Sequence, residues 1–169
     1  NLTGSGDTQL GGQNLIITNA AGTYSGKISD TGAFPGTGGS LTLAGGALIL
    51  SGANTYSGAT NIVAGNLKAG AADAFSPNST HVVALGATLD LNNFNQTIGS
   101  LAGAGNATLG SGVLTAGGNN FSSIFSGAMS GTGGFVKQGT GIQVFSGTNS
   151  YDGPTHVNAG ALLVNGAGG

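Results

Sequence analysis

The chain repeats itself at a spacing of about 100 residues, and this constrains its fold more than any single motif. With Ser51 laid on Ser146, an offset of 95, the pairs Ser51/Ser146, Gly52/Gly147, Asn54/Asn149, Tyr56/Tyr151, Gly58/Gly153, Thr60/Thr155, Ala64/Ala159, Gly65/Gly160 and Leu67/Leu162 coincide. Abundant Gly inflates such matches, but Tyr does not: the chain has three, and two of them align. Tyr24–Gly32 matches Phe125–Gly133 at offset 101. Leu2, Gly4, Gly6, Leu10 and Gly11 match Leu101, Gly103, Gly105, Leu109 and Gly110 at offset 99. The drift implies small insertions on exposed turns. Residues 1–169 therefore read as one continuous segment, with a first unit over 1–99 and a partial second over 100–169.

Short β-prone pieces lie between turn residues within each unit. Leu41-Thr42-Leu43, Leu48-Ile49-Leu50, Asn61-Ile62-Val63, Thr88-Leu89-Asp90-Leu91, Gly112-Val113-Leu114-Thr115, Gln143-Val144-Phe145 and Leu162-Leu163-Val164 are punctuated by Gly45-Gly46, Asn92-Asn93, Gly117-Gly118 and Asn165-Gly166. Several alternate apolar and polar, as strands with one buried face do. An antiparallel sandwich gains nothing from copying its strands every hundred residues. A solenoid does, because similar coils give each other similar neighbours. The expected architecture is all-β, a right-handed parallel β-helix (β-solenoid) of roughly eight coils at about 20 residues each, with no α-helix of note.

Composition removes other classes. Gly supplies 36 of 169 residues, charged residues only 5%, apolar residues 38%, and the net charge is −2. Disordered chains are usually poorer in apolar residues and more charged. Collagen needs Gly at every third position and abundant Pro, and the chain has three Pro. There is no Cys, hence neither a disulfide nor a thiolate metal site. There is no Arg, and Lys27, Lys68 and Lys137 are far apart, so a basic patch for nucleic acid or an anionic membrane is not expected. No apolar run approaches the roughly 18 residues of a membrane helix. The chain opens on Asn1 without a signal-type segment and is read as an internal or processed part of something longer.

Leu50-Ser51-Gly52-Ala53-Asn54-Thr55-Tyr56-Ser57-Gly58-Ala59-Thr60 resembles the autotransporter-associated β-strand repeat of Gram-negative type V secretion passengers. The Val-Asn-Ala-Gly-x-Leu piece of that repeat is present as Val157-Asn158-Ala159-Gly160-Ala161-Leu162, and Gly86–Leu101 and Phe125–Gly141 are similar to such passengers. The resemblance covers about Thr23 to Gly169. It implies an extracellular surface location and a structural or adhesive rod acting in adhesion, cell–cell contact or biofilm. One position departs: Gln143 stands where an apolar residue is expected, so its strand is expected to be shifted in register or locally exposed.

No catalytic site is expected. The carboxylates Asp7, Asp30, Asp73, Asp90 and Asp152 are widely spaced, and only Lys27 with Asp30 brings a cation near one along the chain. Glycoside hydrolysis needs carboxyls converging across a bond. His81 and His156 read as surface residues, and no Gly-x-Ser-x-Gly elbow is present. Gly4-Ser5-Gly6-Asp7 is a poor match to a calcium-binding nonapeptide. Asp90 is expected to face outward between Leu89 and Leu91. Turn Asn residues are expected to form hydrogen-bonded ladders up the rod. Thr88, Thr108 and Thr115 lack the regular spacing of an ice-binding face. Tyr24, Tyr56 and Tyr151 recur beside turns, with Phe125 in the place of Tyr24. They read as anchors locking each coil, the alternative being a stacking platform for sugars. No cofactor or metal is implied. The expected partners are other copies of the rod or cell-surface glycans. The alternatives to an adhesive rod are a head-to-tail filament subunit and a carbohydrate-binding or polysaccharide-degrading β-helix.

Overall fold

The computed structural model describes residues 1–31 and 36–166. Gly32, the last residue of the Tyr24–Gly32 match, lies outside the described residues. The described chain winds as a parallel β-solenoid of about eight turns, with no helix, and every strand pair in it is parallel.

Each turn visits three faces in a fixed order. Face 1 is an eight-stranded sheet: Asn14–Ile17, Ser40–Leu43, Thr60–Ile62, Thr80–Val83, Ser100–Gly103, Ser123–Phe125, Ile142–Phe145 and Ala161–Val164. Face 2 stacks Ala20–Tyr24, Gly46–Leu50, Asn66–Ala69, Thr88–Asp90, Asn106–Gly110, Ala128–Gly131 and Asn149–Tyr151. Face 3 has two short sheets, Thr8–Gln9 with Ile28–Ser29, and Gln96–Ile98, Leu114–Ala116, Phe135–Lys137 and Thr155–Val157. Face 1 runs without a break past residue 100, so the two sequence units share one core. Successive turns advance 19 residues from Leu41 to Thr60, 21 from Thr60 to His81 and 22 from Gly103 to Phe125. The turn from Asn14 to Ser40 is longer, at 26.

The two-residue period of a strand sends alternate side chains into the prism. Leu48, Leu67, Leu89, Ala107 and Met129 stack in register on the inner side of face 2. Ile17, Leu43, Ile62 and Val83 do so on face 1. Farther along face 1, Phe125 packs edge-on to Phe145 with centroids 6.4 Å apart, and Phe145 packs on Phe135 of face 3 at 4.8 Å.

Corners explain the Gly content. At Gly26, Gly52, Gly127, Gly147 and Gly166 an added Cβ would land on the carbonyl oxygen of Gly6, Gly26, Gly105, Gly127 and Gly147 respectively, far inside van der Waals contact. The backbones of adjacent turns meet there at a distance only Gly tolerates. Side chains do the joining where face 3 has no regular strands. The Ile28 amide donates to Asn54 Oδ1 (2.7 Å), and Asn54 Nδ2 donates to the Ala74 carbonyl (2.6 Å). The Phe75 amide donates to Gln96 Oε1 (3.0 Å), and Gln96 Nε2 donates to the Ala71 carbonyl (2.7 Å). Each carboxamide offers one acceptor and donors like a peptide unit, and so replaces a rung of the ladder.

Two expectations need correction. The turn Asn residues do not stack on one another as ladders; Asn93, Asn95 and Asn120 accept instead from the backbone amides of Ser111, Val113 and Thr140, one turn on. Gln143 is neither shifted nor exposed. It is 2% exposed and in register between Ser123 and Leu162, with Nε2 donating to the Leu101 carbonyl (3.1 Å) and Oε1 accepting from Ser123 Oγ (2.8 Å). Its polar groups are satisfied from neighbouring turns, so the inward position accepts it.

Gly127→Ala is expected to cost about 2 kcal/mol or more, because two backbones must separate. Gly118→Ala, where a Cβ would meet nothing within 4 Å, should stay within about 0.5 kcal/mol of the parent. Urea unfolding of the two variants side by side checks the contrast. Asn54→Leu leaves the Ile28 amide and the Ala74 carbonyl without their amide partner and is expected to cost about 2–4 kcal/mol by the same measurement.

Candidate functional site

The four recurrent aromatics lie on the inside of the rod or at its corners. Tyr24 closes a face 2 strand and is 2% exposed; its hydroxyl donates to the Gly6 carbonyl and lies 2.6 Å from Thr8 Oγ1. Tyr56, on face 3, is fully buried, 2.7 Å from Thr60 Oγ1, which continues to Ser79 Oγ at 2.8 Å. Burial pushes the Tyr56 phenol well above its ordinary range, against the opposing bond from Thr60. Tyr151 on face 2 is half-buried, with its hydroxyl 2.6 Å from Thr155 Oγ1. Phe125 is fully buried on face 1, so it does not occupy the place of Tyr24, which is on face 2. Rings enclosed this way offer no open face for a sugar at Tyr24, Tyr56 or Phe125.

His81 is also not a surface residue. Its place in register between Thr60 and Leu101 turns it inward, and it is fully buried. Nδ1 lies 3.1 Å from the Ser79 carbonyl, which sets the neutral tautomer with the proton on Nδ1. The ring centroid is 5.6 Å from that of Phe75, and Nε2 has no partner. Burial lowers the pKa to about 4, with the Ser79 bond opposing. His156 is exposed on face 3, as expected.

Four of the five carboxylates, Asp7, Asp30, Asp73 and Asp90, join one turn to another, while Asp152 is exposed just beyond the face 2 strand that ends at Tyr151. Asp7 Oδ1 accepts from the Lys27 amide (2.9 Å), and Asp73 Oδ1 accepts from Thr97 Oγ1 (3.1 Å). Buried Asp30 accepts at Oδ2 from the Ser57 amide (2.9 Å) and Ser57 Oγ (2.5 Å). Asp90 faces outward, 3.4 Å from Lys68 of the turn below. Among the described residues no group of three or more His, Cys, Asp or Glu is placed to hold a metal.

Pattern reading also missed Lys137. It points inward from face 3 at 1% exposure, and its ammonium donates to the carbonyls of Gln138, Gly139 (2.9 Å) and Ala159 (3.3 Å). Desolvation lowers its pKa. The ammonium ties one turn to the next through backbone oxygens.

Among the described residues, the later turns of face 1 carry a concentrated apolar stretch on their outer side. Ile124, Val144 and Leu163 stack in register on the outside of face 1, beside Ala102, Phe121 and Ile142, around a shallow hollow of about 750 Å³. Phe121 is 66% exposed and Ile124 60%. Nearer the N-terminal end the same outward row is mixed, running Ile16, Thr42, Asn61 and Val82. The outward alternation of Gln143-Val144-Phe145 and Leu162-Leu163-Val164 was a signal that could have located it.

A continuous parallel prism with aromatics on its inside is a parallel β-solenoid. The passenger-associated-transport-repeat family matches the chain twice, at residues 45–69 and 135–164. The chain is 41% identical over 170 aligned residues, 95% of its length, to the adhesin BmaC autotransporter of Brucella suis biovar 1 (strain 1330). It spans about 5% of the length of that relative. Residues 45–69 and 135–164 are thus passenger-associated transport repeats, set in a chain similar to a stretch of an autotransporter adhesin.

His81 makes stability depend on pH. The unfolded imidazole titrates at its ordinary 6.5 and the folded one at about 4. Between those values the unfolded state binds a proton that the folded state does not, so stability falls as the pH drops from 6.5 towards 4, by up to about 3 kcal/mol. His81→Leu should remove this component. Unfolding midpoints of parent and variant at pH 7.5 and 4.5 check it; an identical acid shift in both removes His81 as its source.

Proposed function

We propose that the segment is a rigid, non-enzymatic rod of an extracellular autotransporter passenger, contributing to adhesion at the bacterial surface. The observation that carries this reading is the uninterrupted prism whose turns are joined to one another, together with its likeness to a protein named an adhesin. Buried aromatics and carboxylates committed to joints support a part in which shape and surface, rather than bond-breaking, do the work. The partners that fit are cell-surface glycans or other copies of the rod.

Three measurements test the proposal together. Small-angle scattering should show an elongated particle. Beads coated with the folded segment should be retained on a glycan panel or on beads carrying the same segment, and beads coated with heat-unfolded segment should not. Incubation with polysaccharides should release no reducing sugar. Release that disappears in Asp90→Ala or Asp152→Ala would replace the rod by an enzyme.

A further inference from the structure

The internal matches are spaced unequally in residues, at 95, 99 and 101, but equally in turns. Leu50 closes the face 2 strand Gly46–Leu50, and its counterpart Phe145 closes the face 1 strand Ile142–Phe145. Tyr24 closes a face 2 strand and Phe125 a face 1 strand. Gly4 bridges Tyr24 on face 2, whereas Gly103 closes a face 1 strand. In each case the second copy lies five turns less one face beyond the first, or four and two-thirds turns. The two family matches end on the same displacement, at Ala69 on face 2 and Val164 on face 1.

We infer that the repeat is a face-independent folding cassette rather than a recognition element, and that it sets itself wherever the winding chain delivers it. What the cassette needs is available at every corner. Its Gly residues rest on backbone of the preceding turn in both copies. Gly52, Gly58 and Gly65 stand over the carbonyls of Gly26, Gly38 and Gly46, and Gly147, Gly153 and Gly160 over those of Gly127, Gly133 and Gly141. Its Tyr carries its own partner four residues on: Tyr56 with Thr60 at 2.7 Å across the corner from face 3 to face 1, and Tyr151 with Thr155 at 2.6 Å across the corner from face 2 to face 3. Its terminal Leu meets an inward column on either face, Leu67 between Leu48 and Leu89, and Leu162 over Gln143. The copies differ at Asn, where Asn54 bridges two turns and Asn149 donates to the Gly147 carbonyl of its own corner. None of the shared contacts requires a particular face. Copies displaced by one face aim their outward side chains in different directions. No single side of the rod displays the motif, and any partner reads residues outside it.

Two grafts of the same 18 residues separate motif register from face register. Both grafts carry Asp152→Ser. Phe145–Leu162 placed over Leu50–Leu67 then leaves buried Asp30 a serine partner at position 57, keeps the motif aligned and changes the face. Placed over Leu43–Thr60, it keeps the face but puts Thr148 and Pro154 at the corners held by Gly46 and Gly52, so the motif falls out of step with the adjoining turns. The first chimera should unfold in a single transition within about 5 °C of the parent, and the second at least about 10 °C lower. Equal midpoints, the reverse order, or failure of the first to fold each overturn the cassette. Double-mutant cycles on Tyr56→Phe with Thr60→Val, and on Tyr151→Phe with Thr155→Val, give a second reading without a graft. Stabilising coupling in both is expected, and coupling confined to one copy overturns the inference.

Discussion

The hydrogen bond between one turn and the next, directed along the rod, is the interaction on which this structure depends. A segment of strand a few residues long has no stability alone and little apolar surface to bury. Its amides and carbonyls find partners only above and below, and the neighbouring turn supplies them at each face. Once the turns are in place, the inward columns of Leu, Ile and Phe follow, since parallel pairing sets like positions on one another. The columns then exclude water from the bonds that created them.

That constraint also decides which unusual residues are admitted. Gly is required at corners because turn must meet turn through bare backbone. Asn54 and Gln96 are admitted because a carboxamide reproduces the donor and acceptor of a missing strand. Gln143 and Lys137 are admitted inside because carbonyls of adjacent turns, Ser123 below the first and Ala159 above the second, lie within reach. His81 is admitted as a neutral ring with one nitrogen satisfied, and that arrangement persists only while the ring remains uncharged.

Local patterning accounts for much of the fold. Thr88-Leu89-Asp90-Leu91 shows by alternation alone that Leu89 faces in and Asp90 out, and repetition selects a solenoid over a sandwich. The coil length and the number of turns follow from the same reasoning. Inward polar residues could not be read this way. Whether Gln143 is tolerable depends on partners 20 or more residues distant, whose identity is known only once the turns are stacked. The face change between repeats was hidden for a similar reason, because turn lengths vary and residue spacing is a poor count of rotation. The inward place of His81 and the different faces of Tyr24 and Phe125 follow from strand register, which only the stacked turns fix.

The stretch of face 3 between Ile28–Ser29 and Gln96–Ile98, where carboxamides stand in for strands, has a mechanical consequence. Tension applied to the two ends of a rod passes through every joint in series, and the rod parts at the one that yields first. Elsewhere three ladders share the load; here one of the three is reduced to isolated rungs made by flexible side chains. Rupture under pulling should begin in this region, leaving the later turns, with their Phe-lined interior, as the part that endures.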